Sequence, residues 1–241
     1  MTEQRYEPLD EDWQRGLAVV AHPDDLEYGV ASAISKWTSE GKEFTYLLAT
    51  RGEAGIDAMH PGETRRVRTQ EEIDSAKVVG VDTVEFLDFP DGMVEYGLPL
   101  RRDIARVIRR RKPDVVVTTN FEMRFRGGNT NQSDHRAVGL ATLDASRDAG
   151  NRWIFTELNE EGLEPWNEVK MVLVGASPNA THAVDVGDHI YKGVESLEKH
   201  DIYIKGLGRD FDPETFLTMT ANAVGEEFGC HYAVSFEVFA L

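Results

Sequence analysis

Cysteine is nearly absent. Cys230 is the only one in 241 residues, which excludes an intramolecular disulfide and makes a reducing compartment the simpler setting. Positive charge is scarce too, with 26 Lys and Arg against 43 Asp and Glu and a net charge of −17. The resulting field repels nucleic acid and anionic membrane surfaces, so neither is an expected partner, and the excess reads as a solvated acidic surface. No run of the roughly 18 apolar residues that a spanning helix needs occurs, and "MTEQRYEPLDEDWQRG" has no basic segment leading into an apolar one. The expectation is a soluble, cytoplasmic protein that does not insert into a membrane. Both glycine-rich phosphate cradles, G-x-G-x-x-G and G-x-x-x-x-G-K-[ST], are missing.

What is present is an ordinary globular composition, 41% hydrophobic and 29% charged, of a length that suits one α/β domain over residues 1–241. Short apolar runs alternate with helical patterns. "GLAVVAH" (16–22), "EFTYLLAT" (43–50), "TVEFLDF" (83–89), "DVVVTTN" (114–120), "MVLVGAS" (171–177) and "HAVDV" (182–186) read as strands, with "HYAVSFEVF" (231–239) as a last strand or extended segment. Helices are expected over 29–40, 64–79, 98–111, 134–149, 188–200 and 213–224. This alternation predicts a Rossmann-like, mostly parallel sheet with helices on both faces and the active site at the C-terminal strand ends, where the strand order reverses. With the order 3-2-1-4-5, the first and fourth strands are neighbours at that reversal.

The chemistry gathers at those two ends. "HPDD" follows strand one with His22, Asp24 and Asp25, and Asp134 and His135 in "NQSDHRAVG" follow strand four. An acidic "HPDD" turn would repel a pyrophosphate. Two histidines and a carboxylate instead match the open three-ligand set of a catalytic zinc site. In H-x-x-D, His22 and Asp25 can converge on one cation while Asp24 points elsewhere, free to act as a base for water. The competing reading makes Asp24 a helix cap and Asp25 a first-turn dipole partner.

"AHPDDLEYG" together with "SDHRAVG" resembles the LmbE-like, or PIG-L, family of zinc-dependent N-deacetylases. The likeness continues through "TRGEAG" (50–55), "RTQEEIDSAKVVGV" (68–81), "DFPDG" (88–92) and "KGVESLEKH" (192–200). It implies one zinc, or another divalent ion, per chain on His22, Asp25 and His135, with Asp24 as general base and Asp134 behind the ligands. It places Glu53, Arg68 and His200 at the substrate, although a buried salt bridge is an equal reading for Glu53 and Arg68. Members often carry a histidine three residues before the third ligand, thought to assist the oxyanion and the leaving amine. Gln132 stands there, able to donate a hydrogen bond but not a proton.

The expected function is hydrolysis of an N-acyl group, most simply acetyl, from a small molecule or glycoconjugate that contains an amino sugar. A metal-dependent phosphoesterase and a catalytically weak metal-binding member of the fold are the alternatives. His60, His182, His189 and His231 read as structural, and the loop "RFRGGNTN" (124–131) reads as a lid or a plain loop. The expected partner is a small-molecule substrate, whose recognition resides in loops, and a homo-oligomer is an open alternative to the monomer.

Overall fold

The computed structural model describes residues 5–208 and 210–241. In chain order the elements are β1 (Glu7–Pro8), β2 (Arg15–Val20), α1 (Ala31–Ser39), β3 (Glu43–Leu48), α2 (Pro61–Val78), β4 (Thr83–Phe86), α3 (Leu98–Arg111) and β5 (Val115–Thr119). They continue with α4 (Ser133–Asp148), α5 (Glu157–Glu160), β6 (Met171–Gly175), β7 (His182–Asp185), α6 (Ile190–Glu198), α7 (Asp201–Gly206), α8 (Pro213–Phe228) and β8 (Ala233–Ala240).

Among the described residues one sheet runs β4-β3-β2-β5-β6-β8-β7-β1. The first five strands named are mutually parallel, and β8 lies antiparallel between β6 and β7. The expected 3-2-1-4-5 order is therefore present. The chain leaves β2 outward through β3 and β4, then returns to β5 on the other side of β2, which puts the reversal between β2 and β5.

Alternation along the strands builds a core on each face. Ala18, Val20, Val115 and Val117 face one core with Ile34 and Trp37 of α1, Val194 of α6 and Leu217 of α8. Leu17, Val19 and Val116 face the other with Leu100 and Ile104 of α3 and Val138 and Ala141 of α4. Strands covered on both faces carry no polar alternation, which is why these runs read as continuously apolar.

Three differences from expectation have local causes. Helix α2 begins at Pro61 rather than Thr64, because His60 caps it by accepting the Gly62 amide at 3.2 Å and proline suits the first helical position. The lone cap histidine is thereby explained without a role in the crevice. Helix α8 runs to Phe228, four residues beyond its expected end, and stops at Gly229 with φ of +97°. The short elements β1, α5 and α7, two to six residues each, are too brief to show a hydrophobic period.

Candidate active site

The turn after β2 brings the "HPDD" side chains to the β2/β5 reversal. Asp25 Oδ2 accepts the backbone amides of Ala21 at 3.0 Å and His22 at 2.9 Å, so the carboxylate is pinned across its own turn. Its Oδ1 lies 3.0 Å from Nε2 of His135, which the first turn of α4 delivers from β5. His22 Nδ1 stands 3.2 Å from the same Nε2 and 3.6 Å from Asp25 Oδ2. The ligating atoms of His22, Asp25 and His135 thus lie within 4.8 Å of one another, although His135 is 113 residues from His22.

The outer nitrogens of both imidazoles are engaged. Asn131 donates its Nδ2 to the carbonyls of Asn120 at 2.7 Å and Glu122 at 3.0 Å, which leaves its Oδ1 to accept from His135 Nδ1 at 2.8 Å. His22 Nε2 faces Asp134 at 3.3 Å and Asp91 at 3.1 Å. Asp134 is itself held by the amides of Gly92 at 2.8 Å and Val94 at 3.3 Å, and Asp91 accepts from the Ala54 amide at 2.7 Å. Carboxylates and an amide oxygen stand against the outer nitrogens, and the neutral tautomer they favour leaves the two inner nitrogens, which face each other and Asp25, as acceptors. Three acceptors converging in this way fit a cation. Such carboxylate and carbonyl partners are also what commonly orients a metal-ligating imidazole.

The charges of the site pair Asp25 with both imidazoles, so a cation bound there would take the place of their protons. Burial alone would push Asp25 up, but the imidazoles of His135 and His22 hold it well below the usual carboxylate range. Burial depresses His22 and His135, yet the Asp25 carboxylate outweighs it and raises both.

Asp24 goes the other way. Its φ is +88°, rare for a residue with a side chain. Its carboxylate meets Arg68 Nη2 at 3.2 Å, and burial pushes it up to about 6 against the pull of Arg68. Arg68 also donates to the carbonyls of Pro23 at 2.5 Å and Gly52 at 3.1 Å, and its guanidinium lies 4.1 Å over the Tyr203 ring. Gly52 is the residue this arrangement requires: its φ is +65°, and a Cβ there would overlap the guanidinium.

A crevice of about 690 Å³ opens over these groups, bordered by His22, Asp24, Asp25, Arg68, Gln132 and His135. Tyr28, Tyr203, Phe211 and Phe216 form an aromatic side, and Phe125 stands edge-on to His135 at 6.3 Å. Gln132 occupies the N-cap position of α4 at the exposed rim.

Two residues expected at the substrate lie elsewhere. Glu53 turns its Oε1 to the Asp91 amide at 3.1 Å and supports that turn instead of the crevice. His200 is fully buried behind the wall, 3.7 Å from both Glu27 and Glu72, and burial together with Arg68 depresses it to about 3. In the loop 124–131, Arg126 is tied to the Tyr6 hydroxyl at 2.9 Å and Glu227 at 3.2 Å, so Phe125 and not this arginine approaches the site. His182, His189 and His231 pack locally against Thr181, Ser35 and Tyr232.

Asp91, Asn131, Glu72 and Tyr203 had no assignment from sequence. Asp91 sits inside the "DFPDG" stretch, which marked the region but not the residue. Asn131 precedes the α4 N-cap, where a side-chain amide usually reads as turn chemistry.

Residues 17–146 match the family described as PIG-L: GlcNAc-PI de-N-acetylase. The diacetylchitobiose deacetylase of Thermococcus kodakarensis is 29% identical over 192 residues, 79% of this chain and 70% of that one. A probable N-acetyl-alpha-D-glucosaminyl L-malate deacetylase 2 of Bacillus anthracis is 29% identical over 136 residues, 54% of this chain and 58% of that one. Among solved structures, the N,N'-diacetylchitobiose deacetylase of Pyrococcus horikoshii, complexed with its inhibitor MPG, superposes with a TM-score of 0.83 at 24% identity. That superposition covers 95% of this chain and 85% of the other. Since the matched stretch holds more than half of the chain and includes both the "HPDD" turn and the α4 ligand pair, the protein belongs to the PIG-L family of de-N-acetylases.

Proposed function

We propose that this enzyme removes the acetyl group from the amine of an amino sugar carried in a disaccharide or small glycoconjugate, using one zinc or similar divalent ion on His22 Nδ1, Asp25 and His135 Nε2. The observation that carries the reading is the convergence of two imidazole nitrogens, 3.2 Å apart, on the Asp25 carboxylate. Such an ion supplies Lewis acidity to a carbonyl oxygen and to water.

The chain's own residues supply the rest. Asp24, kept by burial near a pKa of about 6, takes the proton of the attacking water and returns it to the departing amine. Arg68 holds that carboxylate against the crevice floor. Asp134 and Asp91 fix the orientation of His22, and Asn131 fixes that of His135. Gln132 offers a neutral N–H from the rim to the oxyanion.

Substrate class follows from the walls. Aromatic side chains suit the apolar face of a pyranose, and about 690 Å³ lies well inside the size range of sites for small organic ligands. The named relatives act on diacetylchitobiose and on an N-acetylglucosaminyl malate, which favours a second group beyond the acetylated ring. Asp24, Asp25 and Asp91 at the crevice disfavour a phosphoryl dianion. No helix among the described residues is long and apolar enough to cross a membrane, and the lone Cys230 supports a reducing, cytoplasmic setting.

The test is acetate release by zinc-loaded protein from N-acetylglucosamine, diacetylchitobiose and N-acetylglucosaminyl conjugates, with phosphate release from sugar phosphates followed in parallel. Acetate from the two-part substrates is expected. Phosphate release alone, or metal uptake with neither product, would overturn the reading in favour of a phosphoesterase or an inactive binding protein.

A further inference from the structure

Helix α2 passes behind the "HPDD" turn, and one of its faces bonds that turn at successive points. Arg68 and Glu72 are one helical turn apart, and Ser75 follows three residues later. Arg68 takes the Pro23 carbonyl and the Asp24 carboxylate. Glu72 Oε2 accepts the Asp24 backbone amide at 3.2 Å, and Ser75 donates to Glu27 Oε1 at 2.6 Å. Carbonyl, side chain and amide of the 23–24 segment, and then the side chain of residue 27, are all held by one helix.

The bond to Glu72 carries the most consequence. A φ of +88° is strained for an aspartate and persists only where the surroundings over-determine it. Asp24 N–H is buried, so without an acceptor it would be an unsatisfied donor in a dry interior. Glu72 is itself 0% exposed, a costly place for a carboxyl that packing alone would not require. Two buried carboxyls, Glu72 and Glu27, lie 3.7 Å from His200 and commit one oxygen each, Glu72 Oε2 to the turn and Glu27 Oε1 to Ser75.

With Asp24 at this positive φ, the neighbouring carboxylates take two directions, Asp25 toward the histidines and Asp24 toward Arg68 and the crevice. We propose that Glu72 is a positioning residue for the reaction: by accepting the Asp24 amide it locks the left-handed turn and so aims the Asp24 carboxylate at the substrate. This rests on Asp24 as the proton acceptor. What matters is the acceptor oxygen at that distance, and not the charge of Glu72.

Three variants separate these requirements. Glu72→Gln keeps the acceptor and the shape. Glu72→Asp keeps the carboxyl but draws it back from the amide, and Glu72→Met keeps only the bulk. The expected result is a kcat within about 3-fold of the parent for Glu72→Gln and a loss of roughly 10- to 100-fold for Glu72→Asp and Glu72→Met. KM and bound zinc should stay at the parent's values.

Amide hydrogen exchange of the peptide spanning residues 22–28, measured on the metal-loaded protein, gives a readout independent of turnover. Protection should fall in Glu72→Asp and hold in Glu72→Gln. Parental kcat and protection in Glu72→Asp would overturn the proposal, as would a loss in Glu72→Gln as deep as in Glu72→Asp. If Glu72→Met fails to fold, the Gln and Asp pair decides alone. Failure of the underlying deacetylase reading looks different: Asp24→Asn then retains parental turnover, or the parent releases no acetate, while the exchange result still reports on the clamp.

Discussion

Asp24 and Asp25 are adjacent in the chain and diverge in space, Asp25 reaching Nε2 of His135 at 3.0 Å and Asp24 reaching Nη2 of Arg68 at 3.2 Å. Asp24 makes the turn at a φ of +88°. Their substitutions should therefore separate. Asp24→Asn is expected to keep its zinc and lose roughly 10² to 10⁴ in kcat, the usual worth of general acid-base catalysis. Asp25→Ala, like His22→Ala and His135→Ala, should lose the metal itself. Elemental analysis beside kcat decides, and equal metal loss from Asp24→Asn would make Asp24 a ligand.

Asp134 touches no ligating atom that faces the crevice, yet it bonds the outer nitrogen of His22 and two backbone amides of the 91–94 turn. Asp134→Asn retains one acceptor and sets a donor against either His22 Nε2–H or the Val94 amide. Zinc affinity should fall about 10- to 100-fold, the usual effect of losing such an outer partner. A competition titration against a chelator measures it, and kcat at saturating zinc should change less than the affinity does.

The convergence of His22, Asp25 and His135 was legible in sequence because two coarse features suffice for it: continuous apolar runs give a sheet buried on both faces, and the strand order brings the ends of β2 and β5 together. Helix α3 was legible to the residue, since Pro99 near its start and arginines in its last turn mark both ends. What stayed hidden acts across distance. Asp91, Glu72 and Asn131 work through single hydrogen bonds to groups that no periodicity encodes. His200 shows the reverse limit: a family-like histidine marks a position that matters but not the side of the wall on which it sits. The antiparallel insertion of β8 was hidden as well, because a strand's direction leaves no trace in its composition.

His200 gives a prediction about acid stability. Burial, with Arg68 adding to it, lowers its folded pKa from 6.5 to about 3, so the folded protein holds it neutral beside Glu27 and Glu72 while the unfolded chain protonates it near 6.5. A depressed histidine contributes stability above its unfolded pKa and loses it as the pH falls from about 6.5 toward 3. Each unit in that window removes about 1.4 kcal/mol from this source. The stability difference between the parent and His200→Gln should consequently shrink between pH 7 and pH 5, measured by denaturant titration on metal-free protein. A difference that stays flat across that range would mean that His200 is protonated in the fold.

Gln132 poses the sharpest question about catalysis. Expelling an amine from a tetrahedral intermediate requires a proton at nitrogen, and a glutamine at the rim has none to give. Asp24 is the remaining group in reach of the reacting atoms with a pKa close to neutral, about 6. His60 is spent on the α2 cap, and His200 lies sealed behind the wall. In the proposed mechanism one carboxyl therefore takes the proton from water and delivers it to the amine, while Gln132 contributes only a neutral hydrogen bond to the oxyanion. Removing an oxyanion donor costs about 10²-fold or more in kcat, so Gln132→Ala should fall by about that factor with its zinc intact. Gln132→His adds an acid where none stands and should turn over an amide substrate at the parent rate or faster. The pair is measured as kcat on one acetylated disaccharide with metal content checked. If Gln132→Ala matches the parent, the residue is only the N-cap of α4, and the oxyanion is held by other groups.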